Sequence, residues 1–347
     1  MRTRTFLLIA PFLGLSLLLT GCSSGAGTSV KVSPEATPEP IIVHADAGLT
    51  LYQDSTTSIP DQKTLKGAVK YPGGQITVLG AGSLEGVPLE PGDLPAGVNW
   101  ESQTVAAPPE TKLPAEGEHF LAYRLKVDSD GTASDAPSFA AVVDGTTREL
   151  ANLSSGGEHV LVLSVPKNSK EVVLEVRFDG LVQEMNLNAG ERTSTTAPAL
   201  YVGGTSGSLP NGGMIHTETP GSLGTVTFDA AVGTAARSPW WNGLHWANNG
   251  ESAWVVVDLS TTPTWRYQST RIASVEDYQE NWTLTDSKRN AHNPVPGAID
   301  DRSVLVFQVP SDELQFTLGV SGQGQTWDGI QRDAMVGVTA SPIRIVF

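Results

Sequence analysis

Lys170-Glu171-Val172-Val173-Leu174-Glu175-Val176-Arg177-Phe178-Asp179-Gly180 is the stretch that decides the fold class of this 347-residue chain. Val172, Leu174 and Val176 alternate with Val173, Glu175 and Arg177, a period of two that suits a strand with one buried face. Asp179-Gly180 separates this run from a second one, Leu181 to Leu187. Asp-Gly between two apolar runs marks a tight hairpin, because both residues tolerate the positive φ that such turns need. The same grammar recurs outward from here, at Gln75 to Leu79, Phe120 to Val127, Phe139 to Val143 and His159 to Val165. These runs are short, rich in β-branched and aromatic residues, and bounded by Gly, Pro, Asp and Asn. No window of comparable length carries a helical period. The expectation is an all-β chain of antiparallel sandwiches.

A repeat strengthens that expectation. Val160-Leu161-Val162-Leu163-Ser164-Val165-Pro166 and Val304-Leu305-Val306-Phe307-Gln308-Val309-Pro310 share five residues in seven at an offset of 304 − 160 = 144. Each is followed by a polar turn and a further apolar run, Val172 to Val176 in one and Leu314 to Val320 in the other. Upstream, Ala122 to Asp128 can be laid on Ala253 to Leu259, at an offset of 253 − 122 = 131. Val202 to Ser222, rich in Gly, Ser, Pro and Thr, reads as the connection between the copies.

The first copy resembles the immunoglobulin-like sandwich domains of secreted and lipid-anchored proteins of Gram-positive bacteria, including the mycobacterial immunoprotective extracellular protein family. The resemblance lies in an order of features. A Gly117-Glu118 lead-in precedes the long run Phe120 to Val127 and the turn Asp128-Ser129-Asp130-Gly131; a strand ending in Val165-Pro166 then precedes a final hairpin near Leu187-Asn188-Ala189-Gly190. It covers Gly67 to Thr195 and, more loosely, Gly221 to Phe347. It implies a fold and an exposed location, and brings no catalytic residues with it.

The N-terminus speaks to location. Arg2 and Arg4 precede the apolar Phe6 to Leu19, and Leu18-Leu19-Thr20-Gly21 leads into Cys22, the single cysteine of the chain. This resembles a bacterial lipoprotein signal with its lipobox. The resemblance implies cleavage before Cys22, a diacylglyceryl group on its sulfur, and residence on the outer face of the cell membrane. Two buried acyl chains give a stable anchor where one is marginal. The predicted organisation is a signal peptide at 1–21, the lipidated Cys22 and a mostly flexible tether at 22–66, a first immunoglobulin-like β-sandwich at 67–195, a linker at 196–222, and a second sandwich at 223–347. Within the tether, Ile41 to Lys66 has two short apolar runs that could be edge strands.

Charge narrows the partners. The signal holds two of the 22 basic residues and none of the 37 acidic ones, so the mature chain carries 20 − 37 = −17. That balance argues against nucleic acid and against a broad electrostatic hold on anionic lipid. A lone cysteine excludes an internal disulfide, so the cores must hold by packing.

The search for chemistry yields little. Ser164-Val165-Pro166-Lys167 has the Ser-x-x-Lys spacing of penicillin-recognising enzymes, but the serine falls in a strand and its repeat counterpart is Gln308. No phosphate-binding Gly-x-x-x-x-Gly-Lys loop and no His-Glu-x-x-His pair occurs. His44, His119, His159, His216, His245 and His292 are scattered without zinc-site spacing. Asp128-Ser129-Asp130-Gly131 opens like a calcium loop but lacks the distal ligands, and reads as a turn. No cofactor and no metal are expected. Tryptophan is the unusual feature, with seven of eight in the second half. Trp240, Trp241 and Trp246, around Ser238-Pro239-Trp240-Trp241-Asn242-Gly243, are the candidate ligand surface, either stacking on sugar or gripping an apolar partner, or else packing inward. The reading is a non-catalytic binding, adhesion or scaffold module for a protein or cell-wall polysaccharide. The alternatives are an envelope hydrolase of unrecognised type and an accessory factor for secretion or assembly.

Overall fold

The computed structural model describes residues 42–90, 111–129, 136–154, 156–194, 196–221, 224–267, 271–272, 282–299, 301, 303–327 and 332–347, all within one compact unit. The signal at 1–21, Cys22, the tether as far as residue 41, Asp130-Gly131 and Asp300 lie outside the described residues. What is described is all-β, in antiparallel sheets joined by turns and three single 3₁₀ turns.

The first half holds two five-stranded sheets. One runs in the order Thr50–Gln53, Gly157–Pro166, Glu118–Ser129, Gly74–Leu84, Lys63–Tyr71; the other runs Glu191–Arg192, Leu181–Asn186, Val172–Phe178, Ser138–Val143, Thr146–Glu149. Val172, Leu174, Val176 and Phe178 are buried while the residues between them are half-exposed, as the alternation predicts. Asp179 and Gly180 take φ of 44° and 79°, and Phe178 pairs with Leu181 across the turn. Ile76, Val78, Leu125 and Leu163 of the first sheet meet Phe139, Leu174, Val176 and Met185 of the second in one core. The runs proposed at 75–79, 120–127, 139–143, 159–165 and 172–178 lie within observed strands, and the run Leu181 to Leu187 overruns the strand Leu181–Asn186 by one residue.

The second half repeats the two-layer plan. Gly224–Ser238 pairs with Met214–Gly221 on one side and with Ser252–Tyr267 on the other, and the latter pairs in turn with Val304–Pro310. The opposing sheet is built on Gln315–Trp327, which pairs with Trp282–Asp286, Arg332–Thr339 and Ile343–Val346. Phe228, Val255, Val257 and Phe307 from one layer face Trp282, Leu284, Phe316 and Ile345 from the other.

The repeat is visible in three dimensions, with one change of register. Ala122 pairs with Val162 in the first half, and Val256 with Val306 in the second. With the 144 offset kept, the upstream strands therefore align at 256 − 122 = 134, not at 131. The corrected alignment matches faces as well. Phe120, Ala122, Val160 and Val162 lie on the outer face beneath Ala45, Ile59 and Val87, and their counterparts Trp254, Val256 and Val306 lie on the outer face with Ala247. An odd shift would have turned every side chain to the wrong side. Phe120 to Tyr123 and Ala253 to Val257 are covered on both faces, so these stretches are continuously apolar and carry no alternation from which a register could be read.

Most of the cover over the first half comes from residues assigned to the tether, with Val87 beside them. Thr50–Gln53 is an edge strand on Val160 to Leu163, and Ala45 and Ile59 are buried. Arg124 holds the intervening loop by donating to the carbonyls of Ser55 and Thr57. The 22–66 segment is thus part of the folded body from residue 42 onward, and its strand Lys63–Tyr71 begins before the boundary at 67. The 196–222 linker is likewise structured. Pro198–Tyr201 forms a 3₁₀ turn whose Tyr201 hydroxyl accepts the Lys70 amide at 3.0 Å, and Met214–Gly221 is a strand of the second half. Small and polar residues here serve as turns in an ordered path.

Candidate functional site

Trp240-Trp241 and His245-Trp246 pair as a two-stranded hairpin turned at Asn242-Gly243, where Gly243 has φ 81°. This hairpin reaches back to the first half. Trp240 is only 5% exposed and belongs to the first core, edge-on to Phe178 with centroids 5.0 Å apart at 86°. Its Nε1–H donates to Asp179 Oδ2 at 2.8 Å, and His245 Nδ1 lies 2.9 Å from the same oxygen. Trp246 also meets Phe178 edge-on, at 6.1 Å, and donates Nε1–H to the Phe178 carbonyl at 3.2 Å. Trp254 Nε1–H goes to the His245 carbonyl at 2.9 Å.

These contacts correct the candidate ligand surface. Trp240 and Trp246 fill and close the end of the first sandwich beside its Asp179-Gly180 turn, and their indole N–H groups are taken. A buried indole requires such a partner, which is why the Asp-Gly turn and the Trp hairpin meet. Trp241, half-buried like Trp246, packs against the outer cluster of the second half, and both it and Trp240 line a cleft.

The cleft has a volume of about 720 Å³, within the size range of small-ligand pockets. Tyr71, Pro72, Pro239 and Trp241 supply aromatic and ring surface, and Gly73-Gly74 and Gly203-Gly204 bring bare backbone to it. Lys70, Gln75, Asp128, Arg237 and Asn242 are among the polar contributors. Asp128 accepts from Lys126 at 2.8 Å and from Gln75 at 3.3 Å, and these bonds hold its carboxyl below the ordinary range. Arg237 is buried; one guanidinium nitrogen donates to the Val202 carbonyl at 2.9 Å and another to the Ser311 carbonyl. Burial pulls its pKa down, against the opposing pull of Asp312 and Glu313.

The remaining polar groups are structural in their surroundings. Ser164 is buried, and its hydroxyl donates to Glu118 Oε2 at 2.5 Å, the oxygen that also takes the Gly48 amide at 3.0 Å. Asp301 caps its own turn by accepting the Ser303 amide at 2.8 Å. Asp286 is pushed up by burial, but its bonds from the Asn290 side chain and amide and from His292 outweigh that and hold it low. His216 sits 2.6 Å from Asp229, whose hydrogen bond raises its pKa; both groups are well exposed, so solvent screens the pair. Among the described residues no group of three or more His, Cys, Asp or Glu could hold a metal ion.

Sequence reasoning missed Lys70, Arg237 and the second role of Asp179. Asp179-Gly180 was legible as a turn, but nothing local indicates that a residue 61 positions later bonds to it. Comparison with protein families, with curated proteins and with solved structures returns no match.

Proposed function

We propose that this chain is an extracytoplasmic lipoprotein held on the outer face of a bacterial cell membrane by lipid on Cys22. Its two sandwiches are immunoglobulin-like domains acting together as a non-catalytic binding or scaffold module for a protein or cell-wall ligand. The observation that carries this reading is the cleft. It is of ligand size, its walls come from the first half, the connecting segment and the Trp hairpin, and its aromatic, proline and glycine surface suits recognition by shape and stacking. The Leu18-Leu19-Thr20-Gly21-Cys22 sequence supplies the location, with two acyl chains giving a lasting anchor.

Fractionation tests both parts. The wild-type chain, expressed in a Gram-positive host, is expected in the membrane fraction. The Cys22→Ser chain should appear in the medium or remain with its signal uncut, and should still sediment with washed, protein-stripped envelope because its cleft is intact. Equal membrane retention of a Cys22→Ser chain whose signal has been removed would contradict the anchor. Failure of the soluble form to sediment with envelope would contradict a wall-polymer ligand.

A further inference from the structure

We propose that the ligand of the cleft is an anionic glycan, a sugar or polyol polymer bearing carboxylate or phosphate groups. This rests on the cleft being the ligand site, and goes further by assigning its chemistry. The chain as a whole is strongly acidic, with a formal charge of −15. The cleft runs against that sign.

Of its three ionic residues, Asp128 is already neutralised by Lys126 at 2.8 Å. The two cations are not. The Lys70 ammonium sits 5.8 Å above the Tyr201 ring and has no carboxylate partner among the described residues. Arg237 is 2% exposed, donates to main-chain carbonyls only, and has an Nε without any hydrogen-bond partner. The nearby acids are engaged elsewhere: Asp312 lies 3.6 Å from Lys288, and Glu313 accepts the Ser287 hydroxyl at 2.6 Å and the amides of Leu314 and Gln315. Asp312 and Glu313 act on Arg237 only through space, and a buried guanidinium with no carboxylate in hydrogen-bond contact is expensive to keep. An anion in the cleft would relieve it, and low-dielectric walls concentrate the field of both cations there.

A glycan fits the remainder. Trp241 offers a half-exposed ring for a sugar face, and Gln75, Ser129 and Thr205 line the same cleft for hydroxyl groups. The large apolar side chains exposed among the described residues, Ile42, Leu113 and Met214, all lie away from the cleft, which argues against lipid as its occupant.

The test uses the soluble Cys22→Ser full chain and calorimetric titration with three oligomers: hexagalacturonate for carboxylate, a poly(glycerol phosphate) oligomer for phosphate, and neutral maltohexaose. At least one anionic oligomer should bind, and which one identifies the source of the anion. Its affinity should fall about tenfold in Lys70→Gln and fall again near 1 M salt, where screening acts within about 3 Å. Trp241→Ala should weaken it as well, and maltohexaose should bind far less tightly. Because Arg237 variants risk misfolding, the surface change at Lys70 is the deciding one, with circular dichroism as the check on fold. Maltohexaose binding as tightly as the anions, or an unchanged affinity in Lys70→Gln, would overturn the anionic assignment; loss in Trp241→Ala would still leave the cleft as the ligand site. No oligomer bound, with envelope sedimentation unaltered by Trp241→Ala, would overturn both.

Discussion

Replacing Trp240 by alanine should destabilise the protein by about 3–5 kcal/mol, the range for deleting a large buried aromatic. The side chain is 5% exposed and edge-on to Phe178, so its removal opens a void at the end of the first core. It also leaves Asp179 Oδ2 without the indole donor at 2.8 Å. In a body of this size, each kcal/mol moves the melting temperature by about 2–4 °C, so scanning calorimetry should show a fall on the order of 10 °C. Trp240→Phe separates the two contributions. It keeps ring packing and loses the hydrogen bond, for a smaller loss of about 1–3 kcal/mol. A change below about 1 kcal/mol in Trp240→Ala would mean that the hairpin is not seated in the first core.

A single methyl group should be nearly as damaging at Gly67. A Cβ there would lie 1.8 Å from the Gly190 carbonyl oxygen and 2.4 Å from its carbon, a backbone obstacle that no rotamer change can clear. The Gly190 turn cannot retreat cheaply. Its amide donates to the Asn186 carbonyl at 2.8 Å, the Asn186 side chain accepts the amides of residues 188 and 189, and Asn188 is tied to the Tyr123 hydroxyl at 2.7 Å. Gly67→Ala should therefore cost about 3 kcal/mol, the upper end of the usual overpacking range. Gly117→Ala is the comparison. Gly117 has φ 81° but open space around its would-be Cβ, so only the left-handed backbone penalty of about 1–2 kcal/mol applies. Urea unfolding of both variants checks the order; a smaller loss at Gly67 than at Gly117 would mean that the two edges do not meet as described.

The strands were legible because each needs only local information. Val172 to Phe178 announces its buried face by alternation, and Asp179-Gly180 announces its turn. What stayed hidden depends on contacts remote in sequence. Phe120 and Ala122 read like their inward neighbours because Ala45, Ile59 and Val87 cover the outer face, and that cover erased the alternation needed to set the repeat register. Ala45, Ile59 and the strand Thr50–Gln53 looked like tether, since a strand of four residues among Thr, Ser and Asp gives almost no periodic signal. Trp240, Trp241 and Trp246 stood out by composition alone, but that Trp240 and Trp246 pack into the first half depends on Phe178 and Asp179, about 60 residues upstream. Arg237 was invisible as a site residue because an arginine in a strand gives no hint that its guanidinium ends among the carbonyls of residues 202 and 311.

The pairing of the two halves through the Trp hairpin forms one wall of the cleft, and the functional reading depends on it. The direct measurement is hydrogen exchange at the Trp240 indole Nε1–H, followed by NMR in the Cys22→Ser chain. A proton bonded to Asp179 within a packed core should exchange only through opening of that core, with protection close to that of the Val172–Phe178 amides. Exchange at the rate of a free indole would contradict the seating of the hairpin, and with it the cleft.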